Sequence, residues 1–315
     1  MADRSTADVP SRPGMPLAVI VNSRAGTASR LGSALPDRLS EAFAKAGHAA
    51  RIECVAGSDI AEAVGRADGQ TVVVGGGDGT LGTAAKELAE SGRTLGILPL
   101  GTRNHLALQL GIPADLDGAA EVIAAGHATR IDLGLVADRV FVNNVSVGLY
   151  PRIVQAREHR RGAMPRWLAT IPAVLSAMRR LEVEHFRMEW NGAEEKVATP
   201  LLFIGNNRYA LEAGRLGQRE SLTDGLLSVA AVAAPTRAGL LRTLLRLVVG
   251  RADPEQDFAS LEDVAELCIY DHHVRRVAID GELARMRFPL KLASWPKALS
   301  VLVPATATEQ STSHG

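Results

Sequence analysis

The sequence predicts an α/β domain followed by an antiparallel β domain, and three observations predict this order. Short apolar runs alternate with helical stretches from residue 17 to about residue 131, a pattern typical of a doubly wound, mostly parallel sheet. From residue 129 onward, short strand-like runs are separated by Asn-Gly, Asp-Gly and Asp-His turns, which indicates a β-sandwich. The first half also contains a glycine-rich turn between a strand and a helix, at the edge where such sheets bind ligands.

Each element follows from its own run of residues. Apolar and β-branched runs predict strands of the first domain at 17–21, 50–55, 71–74 and 94–98. Helical spacing or composition predicts helices at 31–46, 58–67, 80–90, 104–110 and 116–125. Strands of the second domain are predicted at 130–136, 139–147, 183–190, 195–204, 226–232, 265–270, 274–279, 283–288 and 299–303. Helical inserts at 155–180 and 236–250 interrupt these strands.

These patterns divide the chain into four segments. Residues 1–15 are polar and are expected to be disordered. Residues 16–132 form the α/β domain, residues 133–304 form the β domain, and residues 305–315 form a disordered tail. The first segment lacks the apolar core of a signal peptide, and no run approaches the length of about 18 apolar residues that a transmembrane helix needs. We therefore expect a cytoplasmic protein.

Composition narrows the classes of partner. The chain has 315 residues, 46% of them hydrophobic, with 35 basic and 35 acidic side chains, so it is long enough for two domains with substantial cores. The balanced charge argues against a nucleic acid as the partner. Cys54 and Cys268 lie far apart without metal-type spacing, and we expect both to be buried thiols in a reducing compartment.

The most informative segment reads TVVVGGGDGTLGT and covers residues 71–83. A buried strand leads into a glycine turn and then into a helix, so unpaired N–H groups and the positive end of the helix dipole point at one spot. Phosphate is the natural ligand of such a turn. The candidate binding residues are Gly76, Gly77, Asp78, Gly79 and Thr80. Because a carboxylate repels bare phosphate, Asp78 is expected to hold a metal ion or to accept a hydrogen bond from a hydroxyl.

Three known patterns could also account for these glycines. The ATP/GTP loop G-x-x-x-x-G-K-[ST] is absent, because no lysine follows the glycines before Lys86. The dinucleotide pattern G-x-G-x-x-G is formally present at 77–82, but the acidic residue that should follow the next strand is missing. A tight turn without a ligand is the third interpretation, and the clustering of four glycines with an Asp and a Thr argues against it.

Two more strand ends carry polar turns. The strand at 94–98 is followed by PLGTRNH at 99–105, and the strand at 17–21 is followed by NSRAG at 22–26. Since the carboxyl ends of parallel strands meet at one edge of a sheet, we expect these turns to join the glycine-rich turn in one nucleotide site. The residues they contribute to that candidate site are Asn22, Ser23, Gly26, Gly101, Thr102, Asn104 and His105.

At this point the chain resembles the diacylglycerol kinase catalytic-domain family, which includes bacterial lipid kinases and sphingosine and ceramide kinases and is distantly related to NAD kinase and phosphofructokinase. The resemblance covers about residues 16 to 303. It rests on VNSRAG, GGGDGT and PLGTRNH in the first half, and on FVNNVSVGLYP (141–151), FIGNNRYALEAGR (203–215), SLTDGLLSVAAV (221–232) and VAIDGE (277–282) in the second. It implies a phosphofructokinase/NAD-kinase-like first domain, ATP and Mg²⁺ as cofactors, and phosphorylation of a lipid hydroxyl in phospholipid metabolism.

The resemblance also implies roles for single residues. Asp280 matches the base that deprotonates the lipid hydroxyl, and Glu282 matches an acid that supports metal and nucleotide, although Asp-Gly is also a common hairpin turn. Asp224 matches the side-chain ligand of a structural Mg²⁺, with backbone help near Ser221 and Leu226. Asp78 is the metal-ligand candidate of the glycine turn. His105 stands where the family often has an acid, and histidine is a poor substitute for a hard oxygen ligand of Mg²⁺.

The expected partner is a membrane lipid. Residues 155–180 combine basic ends with an apolar middle and Trp167, so they are the candidate for peripheral membrane contact. An exposed edge strand of the first domain could pair two chains into a homodimer. Two alternative functions stay open: a NAD-kinase-like kinase of a soluble acceptor, and a catalytically inactive nucleotide-binding protein.

Overall fold

A computed structural model describes residues 15–102, 104–148, 183–209, 219–232, 239, 258–271 and 273–305. The predicted insert at 155–180, nearly all of the insert at 236–250 and most residues of the two predicted disordered ends lie outside these ranges. The described residues divide into two compact units. The first contains the residues up to Leu133 together with those from Lys297 onward, and the second contains Gly134–Pro296.

Six α-helices and sixteen strands are present in the described residues. The helices are α1 Gly26–Leu31, α2 Leu35–Lys45, α3 Ile60–Arg66, α4 Asp78–Ser91, α5 His105–Gln109 and α6 Leu116–Ala125. The first eight strands are β1 Leu17–Asn22, β2 Ala50–Val55, β3 Thr71–Gly76, β4 Thr94–Pro99, β5 Ala128–Val136, β6 Arg139–Phe141, β7 Asn144–Gly148 and β8 Glu184–Trp190. The others are β9 Ala193–Thr199, β10 Leu201–Asn206, β11 Leu227–Val232, β12 Phe258–Val264, β13 Glu266–Tyr270, β14 Val274–Ile279, β15 Glu282–Arg287 and β16 Leu290–Leu302.

The first unit is built on a parallel sheet with the strand order β2-β1-β3-β4. The end of β16 extends this sheet, because Ser300 and Val301 pair in parallel with Thr94 and Leu95 of β4. Helix α3 packs against α4, and α2 packs against α6, as expected when helices cover the sheet. Strands β1, β3 and β4 are almost completely buried, which explains their continuous apolar runs. The doubly wound α/β prediction is confirmed.

The second unit is a sandwich of two sheets. One sheet is antiparallel with the order β12-β11-β10-β7-β14-β15, and the other runs β16-β13-β8-β9 with β5 and β6 beside β16. Inward side chains of both sheets form one hydrophobic cluster that includes Val147, Ile204, Phe186, Met188 and Ile269. Strand β8 alternates between buried and exposed residues along its whole length, as a strand covered on one face should. The predicted antiparallel β-sandwich is confirmed.

Several predicted strands have different bounds in the structure. The predicted strand 139–147 breaks at Val142 and Asn143 into β6 and β7, and the predicted strand 195–204 breaks at Pro200 into β9 and β10. A proline has no N–H group for the strand ladder, so Pro200 separates the two strands. Strand β12 lies in a segment where no strand was predicted, and β16 begins nine residues before the predicted strand 299–303.

Two further expectations differ from the structure. Cys54 is exposed on the edge strand β2 and Cys268 is half-buried, and neither forms a disulfide, so the prediction of two buried thiols was wrong. The residues from Lys297 onward were assigned to the β domain by sequence, whereas they pack in the first unit through the pairing of β16 with β4. No helix among the described residues is long and apolar enough to cross a membrane.

Candidate functional site

Three turns of the first unit contact one another at the carboxyl ends of β1, β3 and β4. The Asn22 side chain donates a hydrogen bond from Nδ2 to Thr80 Oγ1 (2.9 Å). The backbone N–H of Thr27 donates to Leu100 O (2.9 Å), and the N–H of Gly101 donates to Gly76 O (3.0 Å). The structure therefore brings together the three turns that the sequence assigned to one site, as parallel strand order requires.

Glycine is required where the two glycine turns touch. A Cβ on Gly101 would lie 2.4 Å from Gly77 Cα and 2.5 Å from Asn104 Oδ1, and a Cβ on Gly76 would lie 2.5 Å from Thr80 Cβ. Real Cβ atoms do not approach other heavy atoms this closely, so the backbones of the two turns can meet only without side chains. Gly77 is the N-cap of α4, a helix of 14 residues, and as a glycine it has no side chain that could cap that end. The arrangement leaves the helix N-terminus available to an anion.

Asp78 is the first residue of α4 and holds the start of α5. Its Oδ2 accepts from the N–H of His105 (3.1 Å), and its Oδ1 accepts from the N–H of Leu106 (3.1 Å). These bonds satisfy two of the backbone donors that every helix start leaves without a partner. Each carboxylate oxygen has a second lone pair, so this structural role and a role as metal ligand are compatible.

Removing the charge of Asp78 is expected to destabilise the fold. In Asp78→Asn, one acceptor oxygen is replaced by an NH₂ group that faces a backbone N–H, so one charged hydrogen bond is lost and one donor is left without a partner. We expect the free energy of unfolding in urea to fall by about 2 kcal/mol. Asp59→Asn is the matched control, because Asp59 precedes α3 without capping it. Equal stability of the two variants would contradict the capping role.

Asn104 shapes the second turn. Its backbone is left-handed (φ 52°), a conformation that asparagine tolerates better than most residues. Its Nδ2 donates to Pro99 O (3.0 Å) and to Gly101 O (3.2 Å), which fixes the side chain across the turn. Within the described part of the chain, the buried Asn104 Oδ1 has no hydrogen-bond partner. Such an acceptor is a suitable partner for a donor group of a ligand or a water molecule.

The remaining candidates of the turns that follow β4 and β1 are exposed. His105 and Thr102 are exposed, and Gly26 is exposed beside Thr102, whose Oγ1 would lie 3.2 Å from a Cβ on Gly26. Ser23 is also exposed, and its hydroxyl donates to Val55 O (3.0 Å). The exposed side chain of His105 therefore has no structural role in the core, whereas its backbone N–H donates a hydrogen bond to Asp78 Oδ2.

In the second unit, Asp280 and Gly281 form the two-residue turn between β14 and β15, where Ile279 pairs with Glu282. Both turn residues have positive φ angles, 47° at Asp280 and 83° at Gly281, as a type I′ hairpin requires. The simple hairpin interpretation of Asp-Gly is therefore correct as a description of the backbone. Glu282 begins β15 with an exposed side chain.

The Asp280 carboxylate has a further role, because it binds three consecutive backbone N–H groups. Oδ2 accepts from Val142 N (2.8 Å), and Oδ1 accepts from Asn143 N (2.7 Å) and Asn144 N (3.0 Å). Successive N–H groups that converge in this way form a binding site for an anion. They favour the ionised form of the carboxylate and hold it in one orientation.

Sequence reasoning missed Arg219 and Tyr209, two of the side chains that bind the opposite side of this segment. Arg219 is buried and donates from Nη1 to Val142 O (2.6 Å) and from Nη2 to Asn143 Oδ1 (3.1 Å). Tyr209 OH donates to Asn143 O (2.9 Å), and Asn206 Nδ2 donates to Val142 O (3.0 Å). No local pattern marks Arg219, since these contacts span more than 60 residues of sequence.

The predicted metal loop of the second unit is organised by Asn207. Its Oδ1 accepts from Asp224 N (2.9 Å), and its own N–H donates to Leu226 O (2.9 Å). Ser221 Oγ accepts from Thr223 N (3.1 Å), and Asp224 is exposed. Carboxylate, hydroxyl and carbonyl oxygens are the donors that Mg²⁺ prefers. Among the described residues, no three His, Cys, Asp or Glu side chains are grouped so that they could hold a metal ion.

Comparison with known families agrees with this architecture. The model of the diacylglycerol kinase catalytic domain matches residues 16–136, and the model of the YegS C-terminal NAD kinase beta sandwich-like domain matches residues 143–303, about half of the chain. The chain belongs to the diacylglycerol kinase family. As a member of that family, it carries the two matched domains in the order that the sequence predicted.

Relatives of this diacylglycerol kinase family member match between half and three quarters of its length. A protein of Enterobacter sp. (strain 638) named "Probable lipid kinase YegS-like" is 29% identical, over 75% of this chain and 78% of that protein. The protein named "Diacylglycerol kinase" from Mycobacterium tuberculosis is 29% identical, over 74% of this chain and 76% of that protein. A YegS-like relative from Klebsiella pneumoniae (strain 342) is 32% identical, but the match spans only 50% of this chain and 54% of that protein.

Solved structures support the fold. The crystal structure of a diacylglycerol kinase from Bacillus anthracis str. Sterne superposes with a TM-score of 0.64 at 17% identity, over 93% of this chain and 98% of that one. A second crystal structure from the same organism superposes with a TM-score of 0.69 at 21% identity. At such identities the likeness establishes only the fold of this diacylglycerol kinase family member.

Proposed function

We propose that this protein is a lipid kinase that transfers the γ-phosphoryl group of ATP to the hydroxyl of diacylglycerol or a related lipid. The observation that carries the proposal is the convergence of three polar turns on the uncapped N-terminus of α4. Family membership supports the reaction class. Phosphoryl transfer requires that the reactants are positioned and that the charge of the phosphates is neutralised, more than it requires covalent chemistry by the protein. The proposed site has candidate residues for both tasks.

ATP is the proposed nucleotide of the first unit. The glycines Gly76, Gly77 and Gly101 let the two turns and α4 pack closely, since a Cβ on any of them would contact the neighbouring turn or helix. A phosphate chain is proposed to bind at the N–H groups that begin α4. The N-terminus of α4 would attract its negative charge. The buried Asn104 Oδ1 would accept a hydrogen bond from a donor group of the ligand.

Mg²⁺ is the proposed metal, and the oxygen donors of the chain fit it. Asp78 would hold the ion that accompanies the nucleotide, and Asp224, Ser221 and Leu226 would hold a structural ion. When bound, Mg²⁺ neutralises the charge that develops on the phosphates. The chain contributes rigidity: α5 fixes the Asp78 carboxylate through two N–H groups, and Asn207 fixes the loop of Asp224.

Asp280 is the proposed general base, with Glu282 as its supporting acid. A base must be ionised and correctly oriented when the hydroxyl arrives. The three N–H groups of 142–144 favour the ionised carboxylate and hold it in position. They also weaken it as a base, which is tolerable because in a loose phosphoryl-transfer transition state the acceptor proton leaves late.

A membrane lipid as acceptor implies contact with a bilayer, and residues 155–180 are proposed to make it. Their basic ends and apolar middle suit an anionic membrane surface. Sedimentation with anionic vesicles, compared with neutral vesicles, tests this contact. A homodimer through an edge strand of the first unit is a separate proposal that sedimentation velocity would test.

The first test of the function is ADP release from Mg²⁺·ATP. Mixed micelles would contain diacylglycerol, sphingosine, ceramide or phosphatidylglycerol, and NAD would be the soluble acceptor. We expect turnover that requires one of the lipids and Mg²⁺. Turnover with NAD alone would instead establish the kinase of a soluble acceptor. Binding of ATP without turnover on any acceptor would favour the inactive nucleotide-binding protein, for which His105 in place of an acid is the motivating residue.

A further inference from the structure

A single peptide group separates Asp280 from Arg219. The Val142–Asn143 peptide donates its N–H to Asp280 Oδ1 (2.7 Å) and accepts at its carbonyl oxygen from Arg219 Nη1 (2.6 Å). The two groups of a trans peptide point in opposite directions. The carboxylate and the guanidinium therefore lie on opposite sides of this peptide and are joined through it.

The next peptide repeats the arrangement with a neutral donor. The Asn143–Asn144 peptide donates its N–H to Asp280 Oδ1 (3.0 Å), and its carbonyl accepts from Tyr209 OH (2.9 Å) and from Asn206 N (2.9 Å). Arg219 adds a second contact to the same residue through Asn143 Oδ1 (3.1 Å). The irregular break between β6 and β7 is thus held on one side by an anion and on the other by a cation and a phenol.

Hydrogen bonds in a chain polarise one another, and the effect is greatest where water is excluded. Arg219 is only 8% exposed, and a buried guanidinium interacts more strongly with a carbonyl than an exposed one does. Its charge draws electron density toward the Val142 oxygen, so that the Asn143 N–H becomes a stronger donor to Asp280. Arg219 thereby stabilises the ionised carboxylate without touching it.

We infer that Arg219 is a positioning residue for Asp280, acting through the Val142–Asn143 peptide. It fixes the N–H groups that orient the carboxylate and it lowers the affinity of that carboxylate for a proton. The inference rests on the proposed role of Asp280 as base. Among the described residues, the ionisable groups that bond to 142–144 are Asp280, Arg219 and the phenol of Tyr209. Glu220 and Glu282 are their neighbours along the chain.

The first experiment measures the energetic coupling between Asp280 and Arg219 by unfolding in urea, and it needs no substrate. It compares the natural chain with Asp280→Asn, Arg219→Met and the double variant, at about pH 7, where an aspartate is ionised. We expect Asp280→Asn to be less destabilising in the Arg219→Met background than in the natural chain. Additive effects of the two substitutions would overturn the inference, since independent sites add. Arg219→Lys provides a milder variant if Arg219→Met does not fold.

The second experiment measures kcat/KM against pH with the acceptor found above. If Arg219 stabilises the anion, the acidic limb of the profile moves to higher pH in Arg219→Met, by about one unit, and by less in Arg219→Lys, which keeps the charge. Arg285→Met is the matched control, because it removes the same charge from an exposed position of β15. An unmoved limb in Arg219→Met, or an equal shift in Arg285→Met, would overturn the inference. If no acceptor is turned over, the proposed function fails, while the unfolding cycle still decides the coupling.

Discussion

Asp280→Asn is expected to lower lipid-dependent turnover by about 10²–10⁴-fold, the usual cost of losing a general base. The asparagine keeps one acceptor oxygen for the N–H groups of 142–144, but its NH₂ group cannot take a proton from the substrate. The glycine turns of the first unit are unchanged, so the affinity for ATP should stay within about twofold of the natural value. ADP release and ATP binding by calorimetry measure the two quantities separately.

A second hairpin of the same unit provides the control. Asn191 and Gly192 join β8 to β9 with the same signs of φ, 51° and 76°, so Asn191→Asp alters one charge at a turn of the same kind. We expect this variant to keep natural turnover. Natural turnover in Asp280→Asn would exclude Asp280 as the base and leave it as a structural residue of the hairpin.

Gly101→Ala is expected to have the largest effect on the first unit. The new methyl group would lie 2.4 Å from Gly77 Cα and 2.5 Å from Asn104 Oδ1, so the two glycine turns must separate. Overpacking of this kind costs about 3 kcal/mol, and separation of the turns should also weaken ATP binding. Urea unfolding and titration with ATP would measure both losses.

Gly65→Ala is the matched control for that substitution. Gly65 lies inside α3, and its Cβ would meet only the flexible end of Glu87, at 3.3 Å. Alanine favours a helix over glycine by about 1 kcal/mol, so this variant should be as stable as the natural chain or more stable. If Gly101→Ala retained both stability and ATP affinity, the close contact of the two turns would not exist in solution.

The glycine turns could be predicted from sequence because their chemistry is local. Strand, turn and helix follow one another within 71–83, and parallel strand order then brings neighbouring turns to one edge. Asp78 was identified as a residue with a special role on the same grounds. Its actual contacts with the N-terminus of α5 could not be foreseen, since they depend on the path of the chain between β4 and α5.

The surroundings of Asp280 could not be predicted, because they are made by residues distant in sequence. The Asp-Gly pair alone gives a hairpin, and it does form one. The three N–H groups that bind its carboxylate lie 136 to 138 positions earlier, and Arg219 lies in a third segment. The predicted strand 139–147 breaks at Val142 and Asn143, where the segments that carry Asp280 and Arg219 both contact it. The strand prediction was therefore wrong at the residues that bind the Asp280 carboxylate.

The division of β16 between the two units has a consequence for synthesis. Its first residues pair with β13, whereas Ser300 and Val301 pair with Thr94 and Leu95 of β4. The sheet of the first unit therefore acquires this strand only after Val301 has left the ribosome, long after β4 has emerged, although domains usually fold in order from the N-terminus. A fragment that ends at residue 136 would leave the outer edge of β4 open for pairing with other chains.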